Sequence, residues 1–161
     1  AVIPMIRINR KTGRDDPDGL AALEEILRKR LDLDRIFDGA AWKVACRESG
    51  GSVLDLLRIV NQGMLKRKGE RITPKDVEAG LTAIVHVYDR LTWGPFLPIF
   101  VHVARKHQFP NDVNVTLKRQ ALHNLFVLEY QNDTSWFDLH PFVRRARAVK
   151  DALSKGGKSG R

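Results

Sequence analysis

Residues 49–58 read SGGSVLDLLR and join a pair of glycines to the start of an apolar helix. Ser49 belongs to the residue types that cap helix N-termini, so we expect it to cap this helix. The paired glycines allow a neighbouring backbone to approach closely. Helical spacing leaves Asp55 and Arg58 off the apolar face. That face comprises Val53, Leu56, Leu57 and Val60.

The composition predicts a globular protein. A chain of 161 residues can bury a core, as one domain or two small ones. No apolar run approaches the roughly 20 residues that span a bilayer, and residues 1–4 lack the basic start of a signal peptide. We therefore expect a cytoplasmic protein with no membrane partner. Cys46, the single cysteine, lies in a helical stretch and is interpreted as a buried structural thiol.

The charge is strongly basic and unevenly distributed. The formal net charge is +9 and the sequence pI is about 10.1. Residues 1–96 contain 17 Lys/Arg against 14 Asp/Glu, whereas residues 97–161 contain 11 against 5. Such a balance favours an anionic partner such as nucleic acid, and the second part of the chain is the better candidate for its binding surface.

The N-terminal residues predict an extended segment and a loop. Residues 2–8 are apolar and β-branched, as in a strand or extended arm whose partner is not evident from the sequence. Residues 9–19 are rich in Gly, Asp, Asn and Pro, which indicates a loop. Either Asp16 or Asp18 is expected to cap the helix that follows. We interpret residues 1–19 as one N-terminal arm and loop.

Residues 20–92 are predicted to form a helical bundle. Leucine and isoleucine recur at helical spacing after residue 20, and residues 40–48 predict a further helix. The helix opened by residues 49–58 continues to about Lys66. The next one begins at Ile72-Thr73-Pro74, with Thr73 as its N-cap and proline at the first helical position.

The remaining residues predict two helices, a hairpin and a last helix. Trp93-Gly94-Pro95 breaks the helical pattern and marks a domain boundary. Tyr130 and Trp136 are expected to face each other across the hairpin. The predicted elements are helix 96–107, helix 115–124, strands 126–130 and 136–140, and helix 142–153. This order is that of a winged helix over residues 93–153, and residues 154–161 are interpreted as a disordered basic tail.

These motifs resemble the end of an AAA+ P-loop ATPase of the origin-recognition or STAND-like type. Residues 20–90, with Gly50-Gly51 and the ITPKDV helix start at residues 72–77, resemble the helical lid of such proteins. Residues 96–150 resemble the winged helix that follows the lid. The resemblance implies that residues 2–8 are the last strand of an ATPase core, and that residues 1–8 lack partners when this chain is alone.

The resemblance also implies a regulatory function. The lid would sense nucleotide through Gly50, Gly51, Arg47 and Arg58, although relatives carry an arginine where this chain has Leu54. Both arginines have an alternative interpretation as solvated helix charges. The sequence contains no Gly-x-x-x-x-Gly-Lys-Ser/Thr motif, so ATP with Mg²⁺ would be bound by an upstream core in the same or another chain. We predict no cofactor, no metal site and no enzymatic activity for this chain alone.

The winged helix predicts contact with double-stranded DNA. Cations on its recognition helix and on neighbouring elements would meet the phosphate backbone. The candidate residues are Arg105, Lys106, Lys118, Arg119, His123, Arg144 and Arg145. The alternative is a solvated basic surface, or a winged helix that contacts a protein effector. The sequence is also compatible with two other classes of protein: a stand-alone DNA-binding protein with a helical dimerisation bundle, and a protein-interaction module.

Overall fold

The computed structural model describes residues 5–91, 93–131 and 135–155, and these are mainly helical, as predicted. The helices are α1 Pro17–Arg28, α2 Leu33–Ile36, α3 Ala41–Glu48, α4 Val53–Lys66, α5 Pro74–Tyr88, α6 Leu97–Lys106, α7 Val115–His123, α8 Pro141–Arg145 and α9 Arg147–Lys155, with a 3-10 turn at Gly94–Phe96. The strands are β1 Val127–Gln131 and β2 Ser135–Leu139. The chain forms two compact units. The N-terminal unit is Ile6–Ile84, and the C-terminal unit contains Met5 and the described residues from Val85 onward.

The N-terminal unit is a set of helices around one apolar interior. Helix α3 packs against α1 and against α4. Helices α4 and α5 approach closely through glycines, since a Cβ atom on Gly80 would lie 2.9 Å from the Gly63 nitrogen. The fully buried large side chains of this unit are Ile8, Leu23, Leu27, Leu33, Phe37, Leu56, Ile59, Ile72 and Leu81.

The prediction that Ser49 caps α4 is wrong. Ser52 is the N-cap, and its hydroxyl accepts from the Asp55 amide at 3.2 Å. Ser49 instead ends α3, where its hydroxyl donates to the Cys46 carbonyl at 2.7 Å and accepts from the Gly51 amide at 3.1 Å. The physical reason is that both glycines have a positive φ, which a right-handed helix does not allow. Helix α4 therefore starts only after them.

Helix α4 buries a face that differs in part from the predicted one. Leu56 and Val60 are buried as expected, together with Ile59. Asp55, predicted to lie off this face, is only 8% exposed. It lies in the first turn, where the helix N-terminus favours a carboxylate. Leu54 is 74% exposed.

Residues 5–8 have partners within this chain, so the expectation that residues 1–8 lack them is wrong for these four described positions. The Ile6 amide donates to Gly51 at 3.3 Å, and Ile8 accepts from the Asp16 amide at 2.8 Å. The Met5 amide donates to Glu129 at 3.1 Å. Residues 1–4 lie outside the described part of the chain.

Asp16 occupies the N-cap position of α1, but its side chain makes no capping hydrogen bond. The carboxylate pairs with the Arg7 guanidinium instead. Thr73, in contrast, caps α5 as predicted: its hydroxyl accepts from the Asp76 amide at 3.3 Å, and the Asp76 carboxylate accepts from the Thr73 amide at 2.9 Å. This reciprocal pair is a capping box.

The C-terminal unit packs its helices around a small antiparallel hairpin. Helix α6 contacts β2 and α9, and α7 contacts β1. Tyr130 pairs with Trp136 in the register, and their ring centroids lie 4.6 Å apart, which confirms the prediction. The turn at residues 132–134 lies outside the described residues. The buried interior comprises Trp93, Ile99, Phe100, Val103, Phe109, Ala121, Val127, Leu139, Val143, Ala146 and Val149.

The prediction of a single helix at residues 142–153 is wrong, because two helices occupy this segment. Ala146, with ψ 135°, separates α8 from α9. A new helix starts after it because the Asp89 carboxylate accepts from the Arg147 amide at 2.7 Å and satisfies an N-terminal donor. Residues 154–155, assigned to the disordered tail, complete α9, and residues 156–161 lie outside the described part.

Candidate functional site

Gly51 lies against the chain's own N-terminal segment, and Gly50 directly precedes it. Their φ angles are 63° and 84°. A Cβ atom on Gly51 would lie 1.8 Å from the Ile6 carbonyl oxygen. Both glycines are buried. The close approach expected from the sequence is therefore made by residue 6, and what these glycines contribute to nucleotide sensing stays a prediction.

Arg47 ends α3 and is engaged in an ion pair. Its Nε and a terminal nitrogen donate to one Asp15 carboxylate oxygen at 2.9 and 2.6 Å. The hydrogen bond to Asp15 is the main reason that the pKa of Arg47 is raised. Both side chains are nearly half exposed, so the pair adds little stability. It borders a cavity of about 350 Å³ that Trp42 and Glu24 also line.

Arg58 lies one turn after Leu54 on the exposed side of α4. Its guanidinium is accessible to a phosphate, whereas Leu54 offers no charge. Arg47 would have to exchange its Asp15 partner before it met an anion. These residues fit a contact to the phosphates of ATP with Mg²⁺ through Arg58, but they do not form a cradle for them.

Helix α7 presents a polar outer face. Asn114 caps the helix by accepting from the amides of Thr116 and Leu117 at 2.9 and 3.2 Å. Ala121 is buried on the opposite face. The exposed positions are Val115, Thr116, Arg119, Gln120 and His123. Sequence reasoning selected Arg119 and His123 by charge but missed Thr116 and Gln120. Helical periodicity could have identified them, because it places both on the polar face of the helix.

Lys118 lies at the edge of this face. Its side chain is half-buried, and Nζ lies 5.2 Å from the centre of the Phe109 ring. This cation–π contact gives the ammonium group an intramolecular partner. Among the cations of α7, Arg119 is therefore better exposed for an external ligand than Lys118.

The other candidate cations belong to different local surroundings. Arg105 and Lys106 are exposed in the last turn of α6 and line a groove of about 540 Å³ with His102. Arg144, on α8, pairs with Asp138 of β2. Arg145 is partly buried. The seven residues predicted from the sequence thus fall on three helices, α6, α7 and α8.

The connection between α6 and α7 is longer than the 3–4 residue turn of a helix-turn-helix motif. It begins at His107, whose φ of 56° ends α6 in a left-handed conformation, and runs to Asn114. The His107 carbonyl accepts from the Phe137 amide at 3.0 Å. This bond fixes the start of the connection to β2.

In residues 5–91, 93–131 and 135–155, no three His, Cys, Asp or Glu side chains are grouped so that they could hold a metal ion. Within the same ranges, no helix is both long and apolar enough to cross a membrane. Cys46 is buried, and burial raises the pKa of its thiol to about 12, which leaves it a poor nucleophile. Comparison of the chain with protein-family models, curated protein sequences and solved structures gives no match.

Proposed function

We propose that this chain is the lid and effector region of an AAA+-like or STAND-like ATPase, and that its C-terminal unit is a winged helix that contacts duplex DNA. The observation that carries the DNA contact is the outer face of α7, which holds Thr116, Arg119, Gln120 and His123 above a buried apolar face. The hairpin β1–β2 follows this helix directly in the sequence, and this order supports its assignment as a wing.

The side chains of this face suit DNA recognition. Arginine and glutamine form paired hydrogen bonds with guanine and adenine edges, and threonine and histidine can donate to phosphates. An α-helix with its side chains is about 10–12 Å across, which fits the major groove of about 12 Å width. Lys118 serves mainly to pack on Phe109.

The lid function is supported by the order of elements and by the glycine pair. Arg58 is the residue proposed to approach the nucleotide, because it is exposed on the first turns of α4. ATP with Mg²⁺ would be bound by a core in the same or another chain, and its hydrolysis there would supply the energy for a change in lid position. The N-terminal unit senses that nucleotide and does not hydrolyse it.

A protein effector is the second candidate, and the groove on α6 favours it. Leu97, Pro98 and Val101 form its apolar floor, and Arg105 and Lys106 lie at its end. An acidic amphipathic peptide matches this combination of charge and apolar surface. Competition between such a peptide and duplex DNA would show whether the two ligands share a surface.

The DNA contact is tested by fluorescence anisotropy with labelled duplexes at about 50 to 200 mM salt. Arg119→Ala should weaken binding by about 1–3 kcal/mol, since it removes a base or phosphate contact. Arg90→Ala is the matched control, because Arg90 is also exposed in the C-terminal unit and carries the same charge. Equal affinities for the two variants would refute the proposed DNA face.

The ATPase connection requires a separate measurement. The native gene product, captured with an antibody to this chain, should be heavier than 18.3 kDa or co-purify with a P-loop protein. Arg58→Ala should then lower nucleotide affinity, whereas Arg30→Ala, another exposed arginine of the same unit, should not. A native species near 18.3 kDa without a P-loop partner would favour a stand-alone DNA-binding protein instead.

A further inference from the structure

Three arginines of the N-terminal unit border one polar cavity that includes neither the proposed nucleotide-sensing residues nor the DNA face. Arg35 lies in the last turn of α2, Arg67 caps the end of α4, and Arg71 precedes α5. They line a cavity of about 510 Å³ together with Ile36 and Glu70. The lining of the cavity therefore contains three arginines and one glutamate.

A parallel backbone contact brings these arginines together. The Ile72 amide donates to the Ile36 carbonyl at 2.8 Å, and the Asp38 amide donates to the Ile72 carbonyl at 2.9 Å. Phe37 and Ile72, which form the bridge, are buried. Arg35 and Arg71 thus extend from two short segments that are fixed to each other by hydrogen bonds and by buried side chains.

Arg67 is oriented by a contact of its own. One terminal nitrogen donates to the Glu70 carbonyl oxygen at 2.9 Å. The guanidinium group has five N–H donors, so this bond positions the group and leaves other donors for a ligand. A side chain already held in place loses less conformational entropy when an anion binds.

The charge of this cluster is not balanced by ion pairs of the kind seen elsewhere in the unit. Arg28 pairs with Glu24 at 2.8 Å, Arg47 pairs with Asp15 at 2.6 Å, and Arg7 pairs with Asp16. For the three arginines at the cavity, the described residues provide no carboxylate within ion-pair distance.

The carboxylates next to the cluster have other partners. On the α2 side, Asp32 accepts from the Arg35 backbone amide at 3.2 Å, and Asp34 lies 3.4 Å from Arg28. On the α5 side, Asp76 belongs to the capping box with Thr73. The pKa of Asp76 is lowered, mainly by hydrogen bonds from Thr73 and to a smaller extent by Lys68 and Arg67.

We propose that the cavity between Arg35, Arg67 and Arg71 binds a phosphate group. Guanidinium groups donate paired, parallel hydrogen bonds to phosphate oxygens, and three of them around one cavity can surround a phosphate from several sides. Lys66 and Lys68 are adjacent in sequence and add positive charge. The phosphate belongs either to a small polyphosphate or to the backbone of a nucleic acid, and the chemistry of recognition is the same.

The test uses Arg35→Gln/Arg71→Gln with two probes, sodium tripolyphosphate by calorimetry and a duplex DNA by anisotropy. Losing two charged donors should weaken tripolyphosphate binding at least about tenfold. The matched control is Arg10→Gln/Arg14→Gln, which removes the same charge from exposed positions of the same unit. Arg35→Lys/Arg71→Lys keeps the charge but loses the paired donors, and should bind with intermediate affinity.

The two probes distinguish the sources of the phosphate. A loss for tripolyphosphate alone would assign a small phosphate-bearing ligand, and a loss for DNA, measured in the Arg119→Ala background, would assign a backbone contact. The proposal is overturned if the Arg35/Arg71 glutamine variant binds both probes like the unaltered protein. It is equally overturned if the Arg10/Arg14 control loses as much affinity.

Discussion

Replacing Gly51 with alanine should unfold or severely destabilise the N-terminal unit. An L-residue at φ 84° carries about 1–2 kcal/mol of strain. The added methyl group would lie 1.8 Å from the Ile6 carbonyl oxygen, so this backbone segment must move. Such overpacking costs about 1–3 kcal/mol, and loss of the Ile6–Gly51 hydrogen bond costs about 0.5–1.5 kcal/mol. The total of about 2.5–6.5 kcal/mol is a large part of the stability of about 5–15 kcal/mol typical of a domain.

Gly13→Ala provides a matched control. Gly13 has a similar φ of 76°, but a Cβ atom there would have no heavy atom within 4 Å. Both substitutions restrict the unfolded chain to the same extent, and both introduce the strain of a positive φ. The difference between the two variants isolates the effect of the close approach to Ile6, and should be about 1.5–4.5 kcal/mol.

The assay is urea unfolding followed through the indole NMR signal of Trp42, which belongs to the N-terminal unit. Trp93 and Trp136 belong to the C-terminal unit, so the Trp42 signal reports on the N-terminal unit. Equal unfolding free energies for Gly51→Ala and Gly13→Ala would refute the reasoning. The close approach of the Ile6 carbonyl would then not limit the size of the side chain at position 51.

Three further predictions concern caps and pH. Ser52→Ala should cost about 1 kcal/mol, measured by urea unfolding, because the Asp55 amide loses its acceptor; no loss would contradict the cap assignment. Since the pKa of Asp76 is lowered below 3.8 by Thr73, the stability that this carboxylate provides is present at higher pH and lost as pH falls through its folded pKa. The free-energy difference between the unaltered protein and Asp76→Asn should accordingly shrink below about pH 4 in acid titrations, and a constant difference would oppose this. Burial raises the pKa of Tyr130 above 10.0, so the C-terminal unit should lose stability as pH rises beyond that value, and Tyr130→Phe should remove this loss in alkaline unfolding curves.

Much of the local structure was predictable because its causes are local. Thr73 is followed by proline and, three residues after the threonine, by Asp76, which is the pattern of a capping box. The hairpin was predictable because two β-rich runs flank an Asn-Asp turn signal, and Tyr130 pairs with Trp136 as the sequence indicates. In these cases, residues within a few positions of each other determine the conformation.

The misassigned elements depend on partners that are distant in sequence. Ser49 and Ser52 are both good capping residues, and only the approach of residue 6 to Gly51 explains why the helix starts after the glycines. The break at Ala146 is stabilised by Asp89, which lies 58 residues before Arg147. No periodicity in the sequence reports such a contact.

The candidate sites show the same limit. Positive charge identified Arg119 and His123, but it could not separate them from Lys118, whose ammonium group lies over Phe109. The cluster of Arg35, Arg67 and Arg71 was not predicted at all. It is assembled by the parallel bridge between residues 37 and 72, which joins two segments whose sequences show no pairing signal.

The buried thiol of Cys46 gives this protein an intrinsic probe of its own fluctuations. It is the single cysteine of the chain, and its pKa of about 12 suppresses the thiolate at neutral pH. An alkylating reagent therefore labels it mainly when α3 separates from its neighbours and exposes the sulfur to water. The rate of mass gain measures how often that opening occurs, without a dye or an engineered residue. Ligands of the N-terminal unit can thus be detected by the slower labelling they cause.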